Sequence, residues 1–220
     1  MKKSIIVIGA ALVMVGAFVF GMNWYKGQQT ETIRQIAADG DSPFNRPDAP
    51  MIGTIMAKVE IVEFFDPACE ACRAFHPYVK SVLEANKNKV RLSLRYATLH
   101  QGSDYVAKIL EAARMQGGDV YLKTVEAVLE GQPVWAEHGR PQPQLVWTLL
   151  NGTGLDIERA KREMNDPRVL ARLKQDAADM AKLNVRQTPT LFINGKPLLN
   201  FSPDGLAAQV ASEVRAAYPR

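Results

Sequence analysis

The stretch from Val59 to Val79 reads VEIVEFFDPACEACRAFHPYV, and it decides the fold. Its first seven residues are apolar and β-branched enough to predict a strand within a covered sheet. Asp66-Pro67 predicts a turn, because proline fixes its own φ angle and favours the first turn of a helix. The residues that follow fit a helix, so Cys69 and Cys72 fall in its first turn. The stretch therefore predicts a strand-turn-helix unit that presents a pair of cysteines.

This cysteine pair has the spacing of a redox centre. Residues three apart on a helix share a face, with Cβ atoms about 5–6 Å apart, so a small adjustment closes a disulfide. A helix N-terminus also offers unpaired N–H groups and a positive dipole end, which stabilise a thiolate at Cys69. The pair therefore predicts a reversible dithiol/disulfide centre.

Other interpretations of the pair fit the sequence less well. A structural disulfide over so short a spacing closes a small loop and contributes little stability. A zinc site needs about four ligands, whereas the chain has two cysteines and three histidines, with only His76 nearby. A c-type haem requires histidine directly after the second cysteine, where Arg73 stands. A non-enzymatic metal carrier using both thiolates stays open as an alternative of another class, since soft thiolates suit Cu(I) and zinc.

Composition indicates one globular domain with appendages. The chain has 220 residues, of which 47% are hydrophobic and 23% charged. Its net charge of +4 comes from 27 basic and 23 acidic residues that are scattered singly, as on a solvated surface. We therefore expect no nucleic-acid partner.

The N-terminus predicts export. Lys2 and Lys3 precede Ile5 to Met22, a run of eighteen residues without a charge, and Trp24-Tyr25 follow at interfacial depth. The preferred interpretation is that residues 1–25 form an uncleaved transmembrane signal anchor, with cleavage as the alternative. We expect a single-pass protein of the cytoplasmic membrane, with its C-terminal domain on the periplasmic or extracytoplasmic side.

The rest of the chain predicts a tether and a helix-rich domain. Residues 26–50 are expected to form a stalk or linker, and the domain is expected to span 51–220. After a second strand at Val90 to Ala97, helical periodicity dominates about 103–183, with Asp119 as one helix cap and 133–143 as a proline-rich loop. Thr190 to Ile193 predicts a strand, Asn194-Gly195 a hairpin turn, and the residues after Ser202-Pro203-Asp204 a closing helix.

Together these motifs resemble the thioredoxin superfamily, and within it the DsbA-type thiol:disulfide oxidoreductases of the bacterial envelope. The resemblance is carried by the strand before Cys69-x-x-Cys72, by Pro77 in the following helix, and by the segment Thr188-Pro189-Thr190-x-Phe192-x-x-Gly195. Gln116-Gly117, Gln132 and Trp135 resemble the helical block of the DsbA-like branch. The resemblance covers about Met51 to Tyr218. It implies an α/β thioredoxin fold, a central mixed sheet flanked by helices, with an inserted helical subdomain.

The resemblance also implies a role for each site residue. Cys69, at an exposed helix tip, would be the nucleophile that forms a mixed disulfide with a client, and the more buried Cys72 would resolve it. Glu63 occupies the position of the family's buried acid and would accept a proton from Cys72. Pro189 would be cis, so that Thr188 and Pro189 bind the client chain as an added strand.

The direction of electron flow is less constrained by the sequence. Glu70 and Ala71 form the dipeptide between the cysteines, where the strongly oxidising family member carries histidine, and a carboxylate beside Cys69 disfavours its thiolate. We therefore expect a less oxidising centre than that member. The first expectation is a disulfide-forming oxidase, with a reductase or isomerase as the alternative. We expect exported protein clients, a membrane redox partner that regenerates the centre, no metal, and no cofactor besides the Cys69–Cys72 disulfide.

Overall fold

The computed structural model describes residues 2–219, but not the side chains of 2–12, 26, 29 and 30. The chain divides into two units between Ser42 and Pro43. In the first unit, helix α1 spans Lys2–Ala38, so the predicted anchor and the start of the predicted stalk share one helix. The described residues contain no helix with a stretch apolar and long enough for a membrane crossing. Part of the predicted anchor, Ile5 to Leu12, lies outside the described side chains, and the anchor stays a prediction.

The second unit is built on a five-stranded mixed sheet with strand order β1-β3-β2-β4-β5. The strands are β1 (Met51–Ile52), β2 (Val59–Phe65), β3 (Val90–Tyr96), β4 (Thr190–Ile193) and β5 (Lys196–Pro197). β2 is parallel to β3 and antiparallel to β4, so it lies at the centre of the sheet. Every residue of β2 except Glu60 is buried, as its near-continuous apolar sequence predicts. The mixed α/β thioredoxin fold expected from the sequence is confirmed.

Helices cover the sheet. They are α2 (Glu70–Ala85), α3 (Ser103–Arg114), α4 (Gly118–Glu130), α5 (Gln132–Trp135), α6 (Val146–Leu149), α7 (Ile157–Glu163), α8 (Pro167–Lys182) and α9 (Pro203–Ala217), with a 3-10 turn at Pro143–Leu145. α2 buries Cys72, Phe75, Val79 and Val82, which recur on one helical face. Each buried apolar side chain of this size contributes about 1.5–3 kcal/mol of transfer free energy, so this stripe fixes the helix that carries the cysteines against the sheet.

Two local predictions need correction, and one strand was not predicted. Gly117, not Asp119, is the N-cap of α4, and Asp119 lies inside its first turn. The expected loop 133–143 begins as helix α5, because Trp135 is fully buried and donates its indole N–H to the carbonyl of Val128 at 3.0 Å. The short edge strand β1 was not expected, since two residues carry no periodicity.

Residues 43–50, which the sequence assigns to a linker, are held against the domain. The carbonyl of Pro43 accepts a hydrogen bond from Arg95 Nη1 at 2.7 Å. Arg46 forms a bidentate pair with Asp179, with N–O distances of 2.9 and 2.8 Å. The carbonyl of Pro50 accepts from the backbone N–H of Leu94 at 2.9 Å. The folded unit therefore begins before Met51.

Candidate active site

The two cysteines lie where β2 gives way to α2. Cys69 is the N-cap residue of α2, in extended conformation, and Cys72 lies one turn into the helix. Both are free thiols, with 6% of Cys69 and 1% of Cys72 exposed. Cys72 is the more buried, as expected. The expectation that Cys69 forms an exposed tip is wrong, because the segment before β4 packs over it and brings Thr188 O within 3.3 Å of its sulfur.

The pair is chemically asymmetric. The pKa of Cys69 is lowered from 9.0 to about 5, chiefly by a hydrogen bond from Cys72 and further by contacts with Thr188 and the backbone of Cys72 and Ala71. The pKa of Cys72 is raised, first by the same sulfur–sulfur hydrogen bond and then by burial and the charge of Glu63. Ala71 thus acts on the centre through its backbone. At neutral pH the reduced pair therefore holds one thiolate, on Cys69, and one thiol, on Cys72.

Glu63 belongs to the same site. Its side chain is 2% exposed on the central strand β2, and its Oε2 has no hydrogen-bond partner among the described residues. Burial first, and the negative charge of Cys69 second, raise its pKa from 4.5 to about 7. Such a carboxyl group exchanges its proton near neutral pH, which is the condition for general acid–base work.

Thr188 and Pro189 reach the site from the far end of the chain. The peptide bond between them is cis, and the carbonyl of Thr188 faces Cys69. β4 begins at the next residue and pairs with β2 from Thr190 to Ile193 opposite Phe64 to Ile61. This pairing brings the segment, more than a hundred residues away in sequence, beside the cysteine. The structure thus brings together Glu63, both cysteines, Thr188 and Pro189.

Glu70 is the predicted tuning residue that makes the least contact with the site. Its side chain is 64% exposed, and its Oε1 lies 3.7 Å from Nδ1 of His138 in the α5–α6 loop. Solvent screens a carboxylate so exposed.

Sequence reasoning treated Asp66 only as a turn residue, but it organises the active-site turn. It is fully buried, and its carboxylate accepts the backbone N–H groups of Ala68 at 2.8 Å, Leu99 at 2.7 Å and His100 at 2.9 Å. It also accepts from His100 Nδ1 and the Ser103 hydroxyl. Its own N–H donates to Cys72 Sγ at 3.4 Å. A buried acid three residues before the first cysteine was the available signal.

Gln132 is a second residue whose contact could not be read from the sequence. Its buried side-chain amide donates from Nε2 to the carbonyls of Pro67 at 2.6 Å and Cys69 at 3.1 Å. The helical insertion therefore also holds the backbone of the cysteine turn in place.

Within residues 2–219, as far as the structure describes them, no group of three or more His, Cys, Asp or Glu side chains is arranged to hold a metal ion. His76, the histidine of the alternative hypothesis, lines a cleft beside α4 with Arg73 and Lys80. Burial lowers the pKa of His76.

Comparison with known proteins agrees with this geometry. Residues 45–211 match the family model Thioredoxin_4, described as "Thioredoxin". Disulfide bond formation protein D of Bacillus subtilis is 26% identical over 158 residues, which cover 70% of this chain and 71% of that protein. A thioredoxin-like oxidoreductase from Silicibacter pomeroyi is 30% identical with a TM-score of 0.68, covering 82% of this chain and 99% of that one. Oxidised BdbD from Bacillus subtilis is 25% identical, also with a TM-score of 0.68, covering 76% and 93%. The chain therefore belongs to the thioredoxin family and, with its cysteine pair and helical insertion, to the DsbA-type thiol:disulfide oxidoreductases within it.

Proposed function

We propose that the protein forms disulfide bonds in exported proteins, with Cys69 and Cys72 as its redox centre. The observation that carries this proposal is the asymmetry of the pair: the pKa of Cys69 is lowered to about 5, while that of Cys72 is raised. A sulfur that is stable as a thiolate is a good leaving group and favours the reduced form of the enzyme. An enzyme whose reduced form is stabilised oxidises its clients.

The reaction transfers two electrons from a client dithiol to the enzyme disulfide. A client thiolate attacks Cys69, forming a mixed disulfide and breaking the Cys69–Cys72 bond, and Cys72 leaves with the electron pair. The second client thiolate then attacks the client sulfur of the mixed disulfide, which closes the client disulfide and releases Cys69 as a thiolate. The client is oxidised, and the Cys69–Cys72 pair is reduced.

Glu63 provides the proton that this exchange needs. Because burial raises the pKa of Cys72, its departing thiolate requires a proton. Glu63 is buried nearby, and its pKa of about 7 lets it exchange a proton near neutral pH. In the return direction the carboxylate takes the proton from Cys72 as the disulfide re-forms. Glu63 thus serves as the proton donor and acceptor for Cys72.

Thr188 and Pro189 provide the client-binding edge. The carbonyl of Thr188 lies 3.3 Å from Cys69 Sγ, so a peptide chain aligned along this segment would bring its own sulfur to the nucleophile.

The proposal includes a location and a source of oxidising power. Two lysines followed by eighteen uncharged residues support a single-pass anchor at 1–25, with the domain on the extracytoplasmic side. A client dithiol leaves the centre reduced, so a membrane redox partner must remove two electrons in each cycle. The name of the Bacillus subtilis relative, disulfide bond formation protein D, supports the same direction of electron flow.

Trapping tests the assignment. The full-length Cys72→Ser variant, incubated with a reduced and unfolded client plus glutathione disulfide, is expected to accumulate a client–enzyme adduct that a thiol reductant releases. Cys69→Ser is the matched control and is expected to trap nothing. Adducts that form equally through both variants, or refolding of the reduced client that does not accelerate with the oxidised wild type, would refute the proposal.

A further inference from the structure

A second cleft lies away from the cysteine centre. It has a volume of about 620 Å³ and is bounded by residues 45–48, the end of α3 and the first half of α8. Its size falls within the range of about 300–1,000 Å³ typical of small-molecule sites. Glu63, both cysteines, Thr188 and Pro189 do not line it. The proposed thiol chemistry gives this cleft no role.

The wall of the cleft is rich in arginine. Arg46, Arg114, Arg168 and Arg172 line it, together with Gln175 and Asn45. Among the described lining residues, Asp48 is the single acid. Arginine presents planar N–H donors that match carboxylate and phosphate oxygens in bidentate geometry. Four such groups around one cleft favour an anion with several charged oxygens.

The carboxylates that pair with these arginines do not close the cleft. Asp179 lies 2.8 Å from Arg46, Glu111 2.9 Å from Arg114 and Asp176 2.7 Å from Arg172, each with 2% or less of its side chain exposed. Asp166, which is partly exposed, pairs with Arg168 at 3.0 and 2.9 Å. None of these four carboxylates lines the cleft. A guanidinium carries five N–H donors, so Arg114 and Arg172 keep donors for a second partner beside Glu111 and Asp176. These ion pairs thus fix the positions of the guanidinium groups without filling the cleft.

Arg172 supplies a more specific signal. Only 6% of its surface is exposed, and its Nε–H has no acceptor among the described residues, although another of its nitrogens bonds Asp176. A buried donor without an acceptor costs about 1–3 kcal/mol, and a missing ion or water is a common explanation. This donor belongs to a residue that lines the cleft.

We propose that this cleft binds an anion with several phosphate or carboxylate oxygens. Arg114 and Arg168 offer guanidinium donors from the ends of α3 and α8, and a shift of the Arg172 side chain would give its shielded Nε–H an acceptor in the bound anion. Soluble polyphosphates or polycarboxylates and anionic lipid headgroups share this chemistry, so they are two sources of one ligand class.

Thermal unfolding of the full-length protein with pyrophosphate or citrate, at ionic strength matched with sodium chloride, tests the soluble source. At a ligand concentration ten times the dissociation constant, the melting temperature should rise by about 3–6 °C. Flotation with vesicles of pure phosphatidylcholine, or of phosphatidylcholine with phosphatidylglycerol, tests the lipid source. The quantity compared among variants is the fraction of protein that floats with the anionic vesicles minus the fraction that floats with pure phosphatidylcholine vesicles.

Two variants address the cleft without removing its buried pairs. Arg168→Gln removes an exposed guanidinium, and Arg114→Lys keeps a positive charge beside Glu111 but loses the planar donors. Each variant should raise the dissociation constant at least tenfold for whichever probe binds the wild type. The double variant Arg162→Gln/Arg215→Gln, which removes two exposed charges elsewhere, controls for net charge.

Weaker binding in the cleft variants and wild-type binding in the control would support the proposal, whether the probe is soluble or lipid. The proposal is overturned if neither soluble anion stabilises the wild type beyond the sodium chloride control and the wild type does not bind anionic vesicles. It is also overturned if the cleft variants bind as tightly as the wild type, which would leave the arginines as a purely structural network. Client refolding by the same samples reports that the domain is folded.

Discussion

The carboxyl group of Glu63 should make the stability of the reduced protein depend on pH. Its pKa is raised from 4.5 to about 7 in the folded chain, chiefly because it is buried. In the unfolded chain the group ionises above about pH 4.5, whereas in the folded chain it ionises only above about pH 7. The unfolded state therefore loses its proton first, and stability falls as pH rises between these values.

The magnitude follows from the shift. Glu63 is 2% exposed, so solvent screening takes away little of the effect. Raising the pKa from 4.5 to about 7 corresponds to a penalty of about 3 kcal/mol on the free energy of unfolding, which is absent at pH 4 and reaches its full size above pH 7. For a protein of this size, that equals roughly 6–12 °C in melting temperature.

Glu63→Gln separates this effect from packing. Glutamine has nearly the same shape but does not ionise, so the variant does not lose stability through a buried carboxylate as pH rises. The free energy of unfolding of the variant minus that of the wild type should increase by about 3 kcal/mol between pH 4 and pH 8. Any constant offset caused by the amide is common to all pH values and does not enter the comparison.

Urea unfolding of the reduced full-length protein at several values from pH 4 to pH 8 measures this difference. Glu84→Gln removes one exposed carboxylate from α2 and is the matched control; its difference from the wild type should stay nearly flat. A Glu63→Gln difference that is equally flat would refute the assignment of Glu63 as a buried group that exchanges its proton near neutral pH.

Three other substitutions test the remaining contacts. Cys72→Ala should raise the pKa of Cys69 above its value of about 5, measured by thiolate absorbance near 240 nm, because Cys72 donates the largest stabilising hydrogen bond; an unchanged midpoint would contradict this. Arg95→Met should destabilise the fold by about 3–5 kcal/mol, because Asp176 and Asp179 of α8 are buried and each loses an ion-pair partner. Urea unfolding measures this loss, and a value below about 1 kcal/mol would contradict the prediction. Gln132→Ala should lose about 1–3 kcal/mol, measured in the same way, because the carbonyls of Pro67 and Cys69 lose a buried donor; unchanged stability would argue against this contact.

The elements with strong local signals are the ones that the sequence predicts well. Val59–Phe65 is a strand over the predicted residues, and α2 follows with its apolar stripe inward. The turn at Asn194-Gly195 has φ angles of 48° and 74°, both positive, as a two-residue hairpin of this type requires. In each case neighbouring residues determine the outcome.

The features that the sequence does not predict are contacts between residues that lie far apart along the chain. Cys69 is covered by a segment 119 positions away, and Arg46 pairs with a residue 133 positions away. Asp66 accepts donors from the loop after β3, which its own sequence neighbourhood does not contain. No local periodicity records these contacts, so a buried nucleophile was expected to be exposed and a packed segment to be a linker.

The direction of electron flow depends on which groups stabilise the Cys69 thiolate. Sequence reasoning gave weight to Glu70, whose charge opposes the thiolate, but its side chain is 64% exposed and adjoins His138. The stabilising contacts are internal, from Cys72, Thr188 and the helix backbone. A pKa of about 5 instead of 9.0 favours the reduced form at pH 7 by about 3 kcal/mol, or roughly 60 mV for two electrons. An exposed ion pair contributes about 0–1 kcal/mol, so the internal contacts outweigh Glu70. The balance favours oxidation of clients even without histidine between the cysteines.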